Sequence, residues 1–161
     1  MITFRSVDEA KERLKNVLGE RYGTEVSLAN PWVDLSAEEL SDASGLSFGV
    51  PEGAENVIYR YMKSDNLAEM QFTIGNDEFC ARIQPADEPV DISGMYYKWE
   101  NEEVVKIGDC SGILSQVKIG SKDYVELCQW YGKGLQYSLS VYTTDPDGFD
   151  LTAVAEQIYT K

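Results

Sequence analysis

Along the first third of the chain, apolar residues recur at helical spacing. Val7, Ala10, Leu14, Val17 and Leu18 make one stripe behind a capping-box pattern, in which Ser6 and Glu9 are expected to satisfy each other's free amides. The spacing predicts an amphipathic helix over about 7–20, ending near Gly23, and a polar connector up to Asn30. Pro31 pushes Asn30 out of helical space, so the main body is expected to start there. Ser36-Ala37-Glu38-Glu39 is a second capping box, opening a short helix that Gly45 ends.

Beyond Gly45 the period falls to two. Residues 56–63 are rich in β-branched and aromatic side chains. From 67 to 74, Ala68, Met70, Phe72 and Ile74 alternate with Glu69, Gln71 and Thr73. After a turn at Gly75-Asn76-Asp77, Phe79, Ala81 and Ile83 alternate with Cys80, Arg82 and Gln84, which predicts a hairpin. Pro85 and Pro89 interrupt the pattern. Strands are then expected over 91–99, 103–107, 112–119, 123–131 and 135–142, the last three joined as a meander through Gly120-Ser121-Lys122 and Gly132-Lys133-Gly134. Asp150 caps a final helix whose stripe is Leu151, Val154, Ala155, Ile158 and Tyr159.

Tight connections favour antiparallel neighbours, and a sheet with one apolar face must cover it. The expected fold is therefore α+β: a mainly antiparallel sheet of about seven strands, with N-terminal and C-terminal helices over one face. Residues 1–29 are expected to form a helix and connector, and residues 30–161 the α+β domain.

Composition narrows the function. The 161 residues are 43% hydrophobic and 26% charged, which suits one globular domain with a real core. No apolar run is long enough to span a membrane as a helix. The net charge is −14, all of it in residues 31–161, which argues against a nucleic-acid partner. There is no histidine, which removes the usual general base and the commonest metal ligand. Cys80, Cys110 and Cys128 are scattered and odd in number, so free, half-buried thiols are expected. No signal peptide is recognised near Met1, where a charged helix follows directly.

Three stretches resemble chemistry and fall short. Asp109-Cys110-Ser111-Gly112 sets nucleophile types beside glycine but lacks the elbow pattern and a base to activate them. Asp145–Asp150 begins like a calcium loop, yet Phe149 and Asp150 stand where an oxygen ligand and a glycine are needed. A turn followed by an N-cap is expected instead. Glu102-Glu103 is expected in a turn, and no carboxylate pair stands out among the 28 acids. No catalytic residue, metal site or cofactor is expected.

The ten Tyr and three Trp say more, because a ring with a polar tip suits half-exposed contact surfaces for carbohydrate, peptide or protein. They cluster at Tyr59 with Tyr61, Tyr96-Tyr97 with Trp99, Trp130-Tyr131, Tyr137 and Tyr142. Arg82, Tyr96 and Trp130 are the candidate ligand-binding residues of one patch. Asp91, Ser93 and Gly94 have the chemistry of a turn: two side chains that bond nearby amides, then a residue free to take positive φ. Arg82 is expected to pair with Asp91 and fix that loop.

A set of short stretches in a fixed order carries a resemblance: Asn30-Pro31-Trp32, Gly45, Pro51, Ala54, Tyr59-Arg60, Ala68, Phe72, Arg82, Asp91-Ile92-Ser93-Gly94-Met95-Tyr96, Trp130 and Tyr137-Ser138-Leu139. Over roughly residues 30–160 the chain resembles a domain of unknown function common in Gram-positive bacterial envelope proteins and lipoproteins. That resemblance implies an extracytoplasmic, non-catalytic α+β domain. The leading expectation is a binding or interaction module that uses an aromatic sheet face for an unknown protein, peptide or carbohydrate, without membrane insertion. The alternatives are a carboxylate-based hydrolase, or a cytoplasmic adaptor with the N-terminal helix as docking element.

Overall fold

The computed structural model describes residues 31–159, so the expected helix over 7–20 lies outside the described residues. A short strand β1 (Val33–Leu35) leads into α1 (Ala37–Ser44), then β2 (Glu55–Met62), β3 (Leu67–Ile74) and β4 (Asp77–Pro85). After a long connection come β5 (Asn101–Ile107), β6 (Cys110–Lys118), β7 (Tyr124–Gly132), β8 (Leu135–Thr143) and α2 (Leu151–Tyr159). All eight strands form one sheet in the order β1-β2-β3-β4-β8-β7-β6-β5. Every neighbouring pair is antiparallel. The sheet is thus two four-stranded meanders whose last strands, β4 and β8, pair from Glu78–Tyr142 to Pro85–Leu135.

Short turns fix the register. Ile74–Asp77, Ile107–Cys110 and Gly132–Leu135 each close on two residues. At the last of these, Lys133 and Gly134 have φ of 55° and 78°, the left-handed pair that matches strand twist. The sheet has eight strands where about seven were expected, and one of the expected stretches is exchanged for another. Val33–Leu35 adds a strand at one edge, and residues 91–99, expected as a strand, make no ladder. Their backbone is held by side chains instead, as described below. Glu102-Glu103 lies within β5 and not in a turn.

Both described helices cover the same face. In α1 the Ser36 hydroxyl accepts from the Glu39 amide while Glu39 reaches back to the Ser36 amide, and Gly45 closes the end in the left-handed region. Leu40 is its buried anchor. The Asp145–Asp150 segment is a 3-10 turn, and Asp150 Oδ1 then accepts from the amides of Thr152 and Ala153 at the start of α2. Leu151, Val154, Ala155 and Ile158 turn inward from α2. They meet rows set by the register: Ala68, Ile83, Tyr137 and Trp130 in one, Met70, Ala81, Leu139 and Cys128 in the next, then Phe72, Phe79 and Val141. Each large side chain removed from water here contributes roughly 1.5–3 kcal/mol. Ring stacking adds to it at Trp130–Tyr137 and at Phe72–Phe79, both with centroids 5.0 Å apart. Among the described residues no helix is long and apolar enough to cross a membrane.

Candidate binding cleft

The other face of the sheet has a different cover and is polar over β2 to β4, while β6 and β7 bury Val117, Val125 and Leu127 on it. Its register places Arg60, Glu69 and Arg82 side by side on β2, β3 and β4. Glu69 is fully buried. Its Oε2 accepts from Arg60 Nε at 2.8 Å and from Gln71 Nε2 at 2.6 Å, and its Oε1 accepts from Arg82 Nε at 3.0 Å. The Trp32 ring lies across both guanidiniums, with centroid distances of 4.5 Å to Arg60 and 5.3 Å to Arg82. Burial alone would raise the Glu69 carboxyl, but Arg82 and Arg60, helped by the hydrogen bonds from Gln71 and Arg60, outweigh it and hold its pKa below the usual value. Glu69 is therefore ionised at neutral pH.

Arg82 also donates from Nη1 to the Ile92 carbonyl at 3.2 Å, so the buried cluster grips the connection between β4 and β5. That connection, residues 86–100, folds across the polar face. Tyr131 donates its hydroxyl proton to the Ala86 carbonyl, and the Val90 amide donates to Gln136 Oε1. Asp91 Oδ1 accepts from the Ser93 amide at 2.9 Å and from the Ser93 hydroxyl at 2.7 Å, while Ser93 Oγ accepts from the Met95 amide at 3.0 Å. Gly94 sits at φ +73°, and a Cβ there would stand 3.0 Å from Arg82 Nη1. Asp91 and Ser93 thus make local hydrogen bonds in this loop, and Gly94 takes its positive φ. The guanidinium of Arg82 bonds Glu69 and the Ile92 carbonyl, and the expected pair with Asp91 is replaced by these. Further along, the Tyr97 and Tyr142 hydroxyls meet at 3.2 Å, and Trp99 packs edge-on against Tyr97.

Between this loop and strands β2, β3, β4 and β8 is a cleft of about 710 Å³. Ile58, Gln71, Thr73, Cys80 and Ser140 belong to its floor, and Ser93 to Tyr97 form its wall, with Tyr142 at the end. Tyr96 and Tyr142 are 40% and 44% exposed, so their rings face solvent at the rim. The cleft offers hydroxyls, amides and aromatic faces, with Glu78 as a carboxylate and Arg82 as a cation already paired with Glu69 and bonded to the Ile92 carbonyl. Burial, then Glu69 nearby, pushes the Cys80 thiol up to about 12, so it is a protonated, unreactive group at neutral pH. Burial and the bond with Tyr97 likewise push Tyr142 up to about 12.

Of the three grouped candidates, Arg82 and Tyr96 line this cleft and Trp130 does not. Trp130 is 2% exposed under the helices, on the opposite face. In the cross-sheet row through Arg82 the residue on β7 is Gln129, one position away. Tyr142 is among the clustered aromatics but outside the grouped patch, and composition and alternation do not single out Glu69 as a site residue. Its place is nonetheless legible: a hairpin closed at Ile74–Asp77 sets Glu69 opposite Arg82.

Two other sites hold titratable groups. Glu126 is buried on the helix-covered face and accepts from Gln116 Nε2. Burial, followed by the nearby carboxylates of Asp147 and Asp150, raises its pKa despite that bond. It shares a recess of about 340 Å³ with Glu102 and Glu103. At the far end of the sheet, the Cys110 thiol donates to the Tyr159 hydroxyl, which donates to Asp109 Oδ1 at 2.9 Å. Asp109 Oδ1 also lies 3.6 Å from Cys110 Sγ. Its pKa is lowered, first by the bond from Tyr159, which makes it a weak base for the thiol. Tyr159 is raised above its ordinary pKa by Cys110, burial and Asp109. Among the described residues no three carboxylates or thiols converge as a metal would require. No family model, curated protein or solved structure matches the chain.

Proposed function

We propose that the chain is a non-catalytic binding module that holds a neutral polar ligand, a carbohydrate or an uncharged peptide segment, in the cleft under residues 93–97. The observation that carries this reading is the pairing of solvent-facing Tyr96 and Tyr142 rings with a floor of hydroxyls and amides. Rings take the apolar faces of a sugar or side chain, and the floor supplies directional hydrogen bonds. A phosphate or carboxylate ligand is disfavoured by the net charge of −14 and by an arginine already bound to Glu69.

The test is calorimetric titration with a panel of soluble neutral oligosaccharides and uncharged peptides. Binding by at least one member, lost on Tyr142→Ala and on Tyr96→Ala, supports the proposal. Silence across the panel at millimolar ligand, or binding that ignores both substitutions, ends it. We also infer an envelope location, on the resemblance alone. Fractionation of cells carrying the native gene decides that point.

A carboxylate hydrolase is the second reading, favoured by one observation: Glu126 keeps its proton more readily than an ordinary glutamate and shares a recess with Glu103. Turnover of chromogenic glycosides that disappears in Glu126→Gln would establish it.

A further inference from the structure

Among the described residues β5 is an outermost strand, paired on one side to β6. Most of it is exposed, and Val104 is 78% exposed. The two-residue turn makes Ile107–Cys110 a hydrogen-bonded pair, and pairing alternates from there. Val105, Glu103 and Asn101 therefore bond inward to β6. The amide and carbonyl groups of Glu102, Val104 and Lys106 line the outer edge. These three residues also share the loop-covered face, where Val104 stands opposite Ile113, itself exposed.

We propose that two copies of this chain join edge to edge through β5, antiparallel about a two-fold axis at Val104. Val104 is the midpoint of the strand, so this register matches Asn101 of one copy to Ile107 of the other and leaves no residue of β5 without a partner. The outward groups of Glu102, Val104 and Lys106 then meet those of Lys106, Val104 and Glu102, forming a continuous ladder. On the loop-covered face Glu102 stands opposite Lys106 twice, flanking an apolar stripe of Ile113, Val104 and their two equivalents. Moving the axis to Glu103 sets two glutamates against each other, and moving it to Val105 sets Glu103 against Ile107. Charges on an edge strand ordinarily repel intruding strands. Here their order is self-complementary, which selects a second copy over an unrelated strand.

Sedimentation equilibrium of the full chain at physiological salt, from about 1 µM to about 1 mM, tests this. The expected result is reversible formation of a species of twice 18.1 kDa. Val104→Pro removes only an outward N–H, a change that edge strands tolerate, and is expected to return the chain to monomer with an unaltered circular dichroism spectrum. Glu102→Lys or Lys106→Glu alone sets like charges opposite each other and is expected to weaken association roughly tenfold. The double swap restores opposite charges and is expected to recover it. A chain that stays monomeric at the highest concentration overturns the proposal. So does association indifferent to Val104→Pro, or to the single swaps.

Discussion

The two faces of this sheet are built from the same strands yet held by different physics. Under the helices, alternate residues of β3, β4 and β8 are apolar and interlock with α1 and α2 as in any close-packed interior. Under residues 86–100 the complementary positions are Arg60, Glu69, Arg82, Gln71 and Ser140, and the cover is a loop bound by hydrogen bonds. The helix-covered face also has recesses, of about 680 Å³ beside Tyr137 and Tyr159 and about 340 Å³ at Glu126, but its centre is filled by interlocking apolar side chains. The loop-covered cleft of about 710 Å³ is instead floored largely by hydroxyls and amides. Stability is therefore expected to concentrate on one side of the sheet and recognition on the other.

The largest effect that would sharpen this contrast is Trp130→Ala against Tyr142→Ala. Removing Trp130 empties a fully packed site stacked on Tyr137 and is expected to cost about 4 kcal/mol in urea unfolding. Removing the half-exposed Tyr142 is expected to cost under about 1 kcal/mol while abolishing ligand binding. Comparable losses from the two would break the division between faces.

Next comes Glu69→Ala, which leaves two guanidiniums facing each other under Trp32 and is expected to cost about 3 kcal/mol at neutral pH. Changing the whole set, Arg60→Met with Glu69→Leu and Arg82→Met, is expected to recover most of that loss, since no charge is then stranded. It also removes the tie to the Ile92 carbonyl, so ligand binding is expected to stay lost even where stability returns. The Glu69 contribution depends on pH in a definite direction. Its folded pKa lies below its unfolded value, so its stabilisation is complete above the ordinary glutamate range and is lost as pH falls through the folded pKa. Unfolding of the native chain and of Glu69→Ala should converge on acidification from about pH 5 downward.

Gly94→Ala follows, at roughly 1–2 kcal/mol. Positive φ disfavours a β-carbon, and the new methyl would press on Arg82 Nη1 at 3.0 Å. The loss is expected to be local, with faster amide exchange in residues 91–97 and little change in the strands beneath.

Much of this division is legible in the chain itself. Alternation in residues 67–74 and 135–142 marks the apolar face, and the two-residue turns determine which strands pair. Trp130 is misplaced by pattern because β7 is buried on both faces, with Val125 and Leu127 on one and Cys128 and Trp130 on the other, so it shows no alternation to read. The register can place it: a turn at Lys133-Gly134 sets Trp130 opposite Tyr137, already on the apolar face. Residues 91–99 have strand-like composition, with Ile92, Tyr96, Tyr97 and Trp99. They fail to pair because Asp91 and Ser93 take up the Ser93 and Met95 amides locally. The cleft depends on that loop returning over the sheet, and such a long-range contact has no signature in local pattern.

The smallest effect has the opposite sign and compares two buried carboxylates directly. Glu69 has two arginines, whereas Glu126 on the helix-covered face has, among the described residues, the Gln116 amide, with Asp147 and Asp150 adding negative charge nearby. Burial comes first among the causes that raise the Glu126 pKa. A carboxyl with a raised folded pKa contributes stability below its unfolded value and loses it as pH rises through the folded one. Above its folded pKa the ionised Glu126 is thus a cost to the fold. Glu126→Gln keeps an oxygen for Gln116 to donate to and removes the charge, so it is expected to stabilise the chain by on the order of 0.5–1 kcal/mol at pH 7. The gain should vanish near about pH 4, where the native side chain is itself protonated. Thermal unfolding of the native chain and the Glu126→Gln variant across this range measures it. A variant less stable than the native chain at pH 7 would mean that Glu126 is held as an anion by something the fold supplies.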